Sequence, residues 1–191
     1  MNTLQSPGSG LPPLEQSLLQ IGLKLSSAFK SDHGALQFFH QEAYAIIELV
    51  DNVDYDFASQ RVLVPRFRGM EDSSRNWSLF MVLDHLCRVN REILRTIDVL
   101  HDGIEPRGEF DISWFKPDHD CGADSIDEFR DIVFEFQRII EGKAPLRRGH
   151  PKFPHPWFGI LDAHQWLCLA GLHHRIHRKQ ARKIAAMLGQ A

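Results

Sequence analysis

The sequence predicts an all-α fold: a four-helix bundle with one extra helix ahead of it. Three observations lead there. Apolar residues recur at spacings of three and four along five long stretches, the period of an amphipathic helix. Strand signals are nearly absent, since no stretch alternates for long and no Asn-Gly hairpin occurs. The chain has 191 residues, 43% hydrophobic and 25% charged. That is enough for one domain with a real core, and unlike a disordered or fibrous chain.

Residues 1–13 are rich in Ser, Gly and Pro and read as a flexible tail, leaving 14–191 as a single helical domain. Leu14 to Phe29 carries Leu18, Ile21, Leu25 and Phe29 in one stripe. After a break at Ser31 to Gly34, Asp32 is placed to cap a helix reaching about Val50, with Leu36, Phe39, Ala43, Ile46 and Val50 on one side. Asp51 to Asn76 reads as loop, with Val62-Leu63-Val64 extended. Ser78 is an N-cap for Phe80 to Leu100, whose stripe is Val82, Leu86, Val89, Ile93, Ile97 and Leu100. Gly103 follows as a C-cap. Ile104 to Asp124 is loop. Ser125 to Glu141 is helical again and is stopped by Gly142 and Pro145. A proline-rich loop, Lys143 to Gly159, leads to a last helix capped by Asp162 and running to about Leu188.

Net charge is −3 with a pI near 6.4, which disfavours a nucleic-acid grip as the main role. No apolar run is long enough to span a bilayer, and the N-terminus lacks a signal peptide's charged and apolar regions. Three isolated cysteines contain no CxxC pair. These features predict a cytoplasmic protein without disulfides or a membrane segment. Cys87 and Cys168 read as small buried residues. Asp118 to Glu141 is acidic and the last helix is basic from His173 onward. The plain expectation is two neighbouring helices that offset charge; the alternative is a basic binding stripe.

Eleven histidines stand out. Chance alone gives roughly 0.6 pairs at i,i+4, so spacing by itself proves little. His173 and His177 are such a pair, and they continue the apolar stripe Trp166, Leu169, Ala170 on to Gln180 and Ile184. Two imidazoles on an inward face need partners, and a metal ion would satisfy both. His85, at the edge of the second bundle helix's core face, is the best third ligand. Three imidazoles leave a coordination position open, as in a catalytic site. Gln180 and Asp84 are candidates to orient ligands, although Asp84 reads slightly better as a solvated helix residue. Trp77, Trp157, Phe158 and Trp166 are candidates to wall a substrate pocket, or are plain core.

Asn76-Trp77-Ser78, Leu83-Asp84-His85-Leu86, His155-Pro156-Trp157-Phe158-Gly159 and His173-xxx-His177-Arg178-Lys179-Gln180 fall in an order that resembles the DinB/YfiT-like superfamily of metal-binding helical bundles, over about residues 33–190. The resemblance implies an up-up-down-down four-helix bundle, commonly a homodimer. It implies a divalent metal held by His85, His173 and His177, with zinc or nickel first and iron or manganese as alternatives. It implies a metal-dependent enzyme acting on a small molecule, either a thiol S-transferase using a low-molecular-weight thiol or a hydrolase. Lys179 departs from the small residue usual there, and Leu14 to Phe29 looks like an addition. The alternative is a non-catalytic helical binding or interaction module, with the histidines as hydrogen-bonded core.

Overall fold

The computed structural model describes residues 4–108 and 111–189. The start of the predicted tail and the last two residues of the predicted domain lie outside that range. The helices are α1 (Pro13–Phe29), α2 (Asp32–Asp51), a short α3 (Tyr55–Ala58), α4 (Leu79–His101), α5 (Asp124–Lys143) and α6 (Ala163–Met187). Two small antiparallel ribbons join them: β1 (Val62–Leu63) with β2 (Asn76–Trp77), and β3 (Phe153–His155) with β4 (Gly159–Leu161). No helix among the described residues is long and apolar enough to cross a membrane.

The bundle is α2, α4, α5 and α6, with α6 between α2 and α4, and α5 closing the ring on the other side. Side-chain pairings give the directions. His164 meets Asp32 and Arg178 meets Glu42, so α2 and α6 are parallel. Arg91 meets Glu128 and Lys143 meets Asp98, so α4 and α5 are parallel as well. Phe39 stacks on Phe136 and Asp51 pairs with Arg130, making α2 and α5 antiparallel. Trp77 lies on His177 while His85 faces His173, making α4 and α6 antiparallel. The order is therefore up-down-down-up, not the expected up-up-down-down. Periodicity carries no direction. The reversal falls where the chain is long enough to travel back: α4 is about 35 Å long, and residues 102–123 can reach about 70 Å.

A second correction concerns charge. The acidic α5 and basic α6 occupy opposite corners and do not offset one another. Acids of α5 pair instead with Arg91 of α4 and, through Arg130, with the end of α2, while Arg178 of α6 pairs with Glu42.

Local chemistry sets the helix ends. Ser78 accepts from the Met81 amide, as its position predicts. Asp162 and Gln165 form a reciprocal capping box at α6. At α2 the cap is Ser31, which accepts from the Gly34 amide, because the Asp32 carboxylate is engaged elsewhere. The core centres on Phe39, fully buried, stacked on Phe136 at 4.3 Å and tilted against His174 at 4.4 Å. α2 and α6 approach closely at Gly171, where a Cβ would come within 2.6 Å of the Phe38 ring and 3.3 Å of the Phe39 amide.

The predicted stripe of α1 does not face this core. Leu23 and Ser27 point inward; Leu14, Leu18, Ile21, Leu25 and Phe29 point out. Polar contacts hold that orientation. Glu15 binds Arg66 and the Gly69 amide, and Gln20 donates to the Trp157 carbonyl at 2.8 Å. Ahead of α1, Leu11 is buried and the Gln5 amide donates to Asp72.

Asp32 anchors the junction of four segments. Its carboxylate accepts from His164 Nδ1 at 2.5 Å and from the Leu146 amide at 2.7 Å, and His164 Nε2 donates to the Ser27 carbonyl at 3.0 Å. The His164 side chain is 1% exposed and that of Asp32 10%. Breaking such a buried pair from one side leaves polar groups unmatched. Asp32→Ala should therefore destabilise the chain by about 3–5 kcal/mol in urea unfolding. Arg148→Ala, at the half-exposed edge of the same junction, should change stability by less than about 1 kcal/mol. Equal effects would show that the junction is not the anchor.

Candidate metal centre

The site forms where α4 and α6 run antiparallel. His173 and His177 project from successive turns of α6, and His85 from α4. Three ligand-capable atoms, one from each, lie within 4.8 Å of one another. The rings are 4.5–5.1 Å apart, centroid to centroid.

Hydrogen bonds set the tautomers of two of them. His85 Nδ1 donates to the Phe115 carbonyl at 2.6 Å, which leaves its Nε2 lone pair facing the cluster. Gln180 Nε2 donates to the Ser74 carbonyl at 2.7 Å, so its oxygen accepts from His177 Nδ1 at 2.8 Å. His177 Nε2 is therefore also a lone pair. His173 Nε2 lies 3.2 Å from His85 Nε2, while its Nδ1 is buried without a partner. Two nitrogens bound to one ion at about 2.0–2.1 Å, across angles of about 90–109°, sit about 2.8–3.4 Å apart. The donor set and its spacing fit a divalent cation.

Burial keeps the rings neutral. It drives His85 and His173 well below the usual histidine range, with repulsion from the neighbouring rings adding to the effect. His177 falls to about 4, again mainly through burial and against the opposing pull of its Gln180 hydrogen bond. Neutral imidazole is the form that ligates.

The cluster opens onto a cavity of about 70 Å³, room for several waters. Met70, Phe115, Trp157, Phe158, Trp166 and Leu169 give it apolar walls. Its charged residues cancel: Lys116 Nζ meets Glu71 at 2.5 Å and also donates to Ser73 and Ser74. Burial lowers the Lys116 pKa, and Glu71 opposes that.

The other predicted site residues divide. Gln180 holds His177 as its position suggested. Trp157, Phe158 and Trp166 line the cavity. Trp77 does not; it is buried behind the cluster, stacked on His177 with ring planes 8° apart. Asp84 turns away from His85, pairing with Arg88 and accepting the Asp118 amide, both at 2.8 Å. Its role is to pin the 102–123 connection. His174 faces α4 on another side, 3.0 Å from Asn90 Oδ1. The cysteines are free, and burial pushes Cys87 up to about 12 and Cys168 up to about 11, so neither is a ready nucleophile. The Phe115 and Ser74 carbonyls and the Lys116–Glu71 pair have no signal in the sequence, because loop backbone supplies or positions them.

No family model matches the chain, and no curated protein matches it in sequence. Among solved structures it is similar to TT2238, described as a four-helix bundle protein, with 21% identity, a TM-score of 0.51, and coverage of 78% of this chain and 96% of that one. That likeness shows the fold: the protein is an all-α four-helix bundle.

Two outcomes are expected. Gln180→Met removes the partners of two buried groups, His177 Nδ1 and the Ser74 carbonyl, and should lower stability by about 2–4 kcal/mol in urea; a loss under about 0.5 kcal/mol would contradict the hydrogen-bond chain. The second concerns pH. Burial lowers His155 and His174 to about 3 each, whereas the unfolded chain takes up those protons below about pH 6.5. Stability from both is full above about pH 6.5 and is lost as pH falls toward 3, at up to about 1.4 kcal/mol per pH unit for each. Urea midpoints measured in chelator should fall from about pH 6.5 to 4.5; flat midpoints would contradict neutral burial.

Proposed function

We propose that this chain is a metal-dependent enzyme of DinB/YfiT-like type, working in the cytoplasm on a small molecule, with His85, His173 and His177 as ligands of a divalent ion. One observation carries the reading: three ligand-capable ring atoms, one each from His85, His173 and His177, lie within 4.8 Å of one another, with the free lone pairs of His85 and His177 set by the Phe115 carbonyl and Gln180. Zinc or nickel suits three imidazoles, and iron or manganese remains compatible. When bound, such an ion lowers the pKa of a coordinated water or thiol toward neutrality.

The chain's own residues supply the rest. Phe115 and Gln180 hold the ligand rings in place. The apolar walls exclude bulk water from the reacting atoms, and the Lys116–Glu71 pair leaves the cavity floor without net charge. Hydrolysis and thiol transfer both fit this arrangement, and a low-molecular-weight thiol is the co-substrate of the second.

The competing reading is a non-catalytic module in which His173 donates directly to His85 across the 3.2 Å separation. His173 Nδ1 has no partner in either reading, as an acceptor here and as a donor when Nε2 ligates.

Elemental analysis separates the two. Protein from metal-replete growth should carry close to one divalent ion per chain, and His173→Ala less than about a tenth of that. Adding zinc or nickel to stripped protein at about 100 times Kd should stabilise it by about 2.7 kcal/mol, a Tm rise of roughly 5–10 °C. Absence of both metal and Tm rise would favour the hydrogen-bonded core.

A further inference from the structure

We infer that the outer face of α1 is a self-association surface that pairs antiparallel with α1 of a second copy of this chain. This inference stands apart from the metal reading. Leu14, Leu18, Ile21, Leu25 and Phe29 are 47–87% exposed, and they form one continuous stripe along the helix. At roughly 200 Å² for each large apolar side chain, they leave roughly 600 Å² of apolar surface, at the upper end of what monomers expose. The helix cannot simply roll this stripe inward. Glu15, Gln16 and Gln20 are tied to the body on the opposite side, and Leu23 is buried there.

The spacing identifies the occupant. The intervals 4, 3 and 4 from Leu14 to Leu25, continued by Ala28 at 3, make the apolar seam of a coiled coil. Leu14, Leu18, Leu25 and Phe29 of the stripe are also symmetric about a point between residues 21 and 22. In an antiparallel pair Leu14 meets Phe29, Leu18 meets Leu25, and Ile21 meets Gly22. Gly22 is exposed in mid-helix beside the seam, and nothing lies within 4 Å of where its Cβ would stand. A glycine there weakens an isolated helix by about 1 kcal/mol, and no contact within this chain requires it. Against a second copy it admits the β-branched Ile21 and lets the helices approach. Burying both stripes removes roughly 1,200 Å², the lower bound of a specific interface. A two-fold axis makes one patch serve both partners. A lipid surface fits less well, because such helices carry many basic residues on the polar face, and Lys24 is the single basic residue of α1.

Sedimentation velocity of the full chain from about 1 to 100 μM should show a monomer–dimer equilibrium, with half dimer reached in the micromolar range. The double variant Leu18→Glu, Leu25→Glu should remain monomeric throughout, with an unchanged circular dichroism spectrum, since both sites are exposed. Ile21→Cys, oxidised at concentrations where dimer forms, should give disulfide-linked dimer well above the wild-type level, and Leu14→Cys should not; equal linkage by both would overturn the antiparallel order. A wild-type chain monomeric at 100 μM, or a double variant that still dimerises, would overturn the surface itself. So would flotation of the wild type with phosphatidylcholine vesicles that the double variant loses, which would assign the stripe to lipid.

Discussion

Running α4 and α5 in the same direction obliges the chain between them to travel back along the whole bundle, and that return path builds one side of the site. Residues 102–108 leave the far end of α4, and residues 111–123 cross the cluster and re-enter beside the start of α4. On the way they place the Phe115 carbonyl on His85 and Lys116 on Glu71. The connection from α2 to α4 brings the Ser74 carbonyl to Gln180 and Trp77 to the back of His177. The bundle supplies three imidazoles; the crossings supply the groups that aim them. Asp84 gains its meaning in this setting. One turn from the cluster, it ties the crossing to α4 by the Asp118 amide, so it acts on the site through the path of the backbone.

Burial explains both the order and the sensitivity of the structure. Six histidines, His40, His85, His155, His173, His174 and His177, have pKa values lowered chiefly by burial. Neutral buried rings must be matched at each nitrogen or leave a costly orphan. One backbone carbonyl and two helix side-chain amides match a nitrogen in three of them: Phe115 for His85, Gln180 for His177, Asn90 for His174 Nε2. Among these rings in the described residues, Nδ1 of His173, Nδ1 of His174 and Nε2 of His40 lack a partner; of the three, only His173 belongs to the cluster. The same economy appears at Asp32, where one carboxylate serves His164 and Leu146 at the meeting of α1, α2 and α6.

Much of this was legible in the chain. Helix boundaries followed periodicity and caps closely at α4 and α6, where Ser78 and Asp162 act as expected. The three histidines were legible because two continue an apolar stripe and the third sits at the edge of another. Gln180 was legible for the same reason. α1 was legible as a helix, but the direction its stripe faces was not. Its stripe is the most apolar face of that helix, and periodicity cannot say whether such a face meets its own core. Asp84 was ambiguous because adjacency in sequence to His85 says nothing about where its carboxylate points.

By itself, the sequence determined the all-α class, the number of long helices, most of their ends, and which histidines share inward faces. These are local properties, set by side-chain periodicity and by hydrogen bonds that close within one turn. Tertiary structure alone decided the direction of each helix, the separation of acidic α5 from basic α6, the outward stripe of α1, and the carbonyls that orient the histidine rings. Those depend on the path of the connections and on contacts between residues far apart in the chain, for which a single sequence holds no period to read.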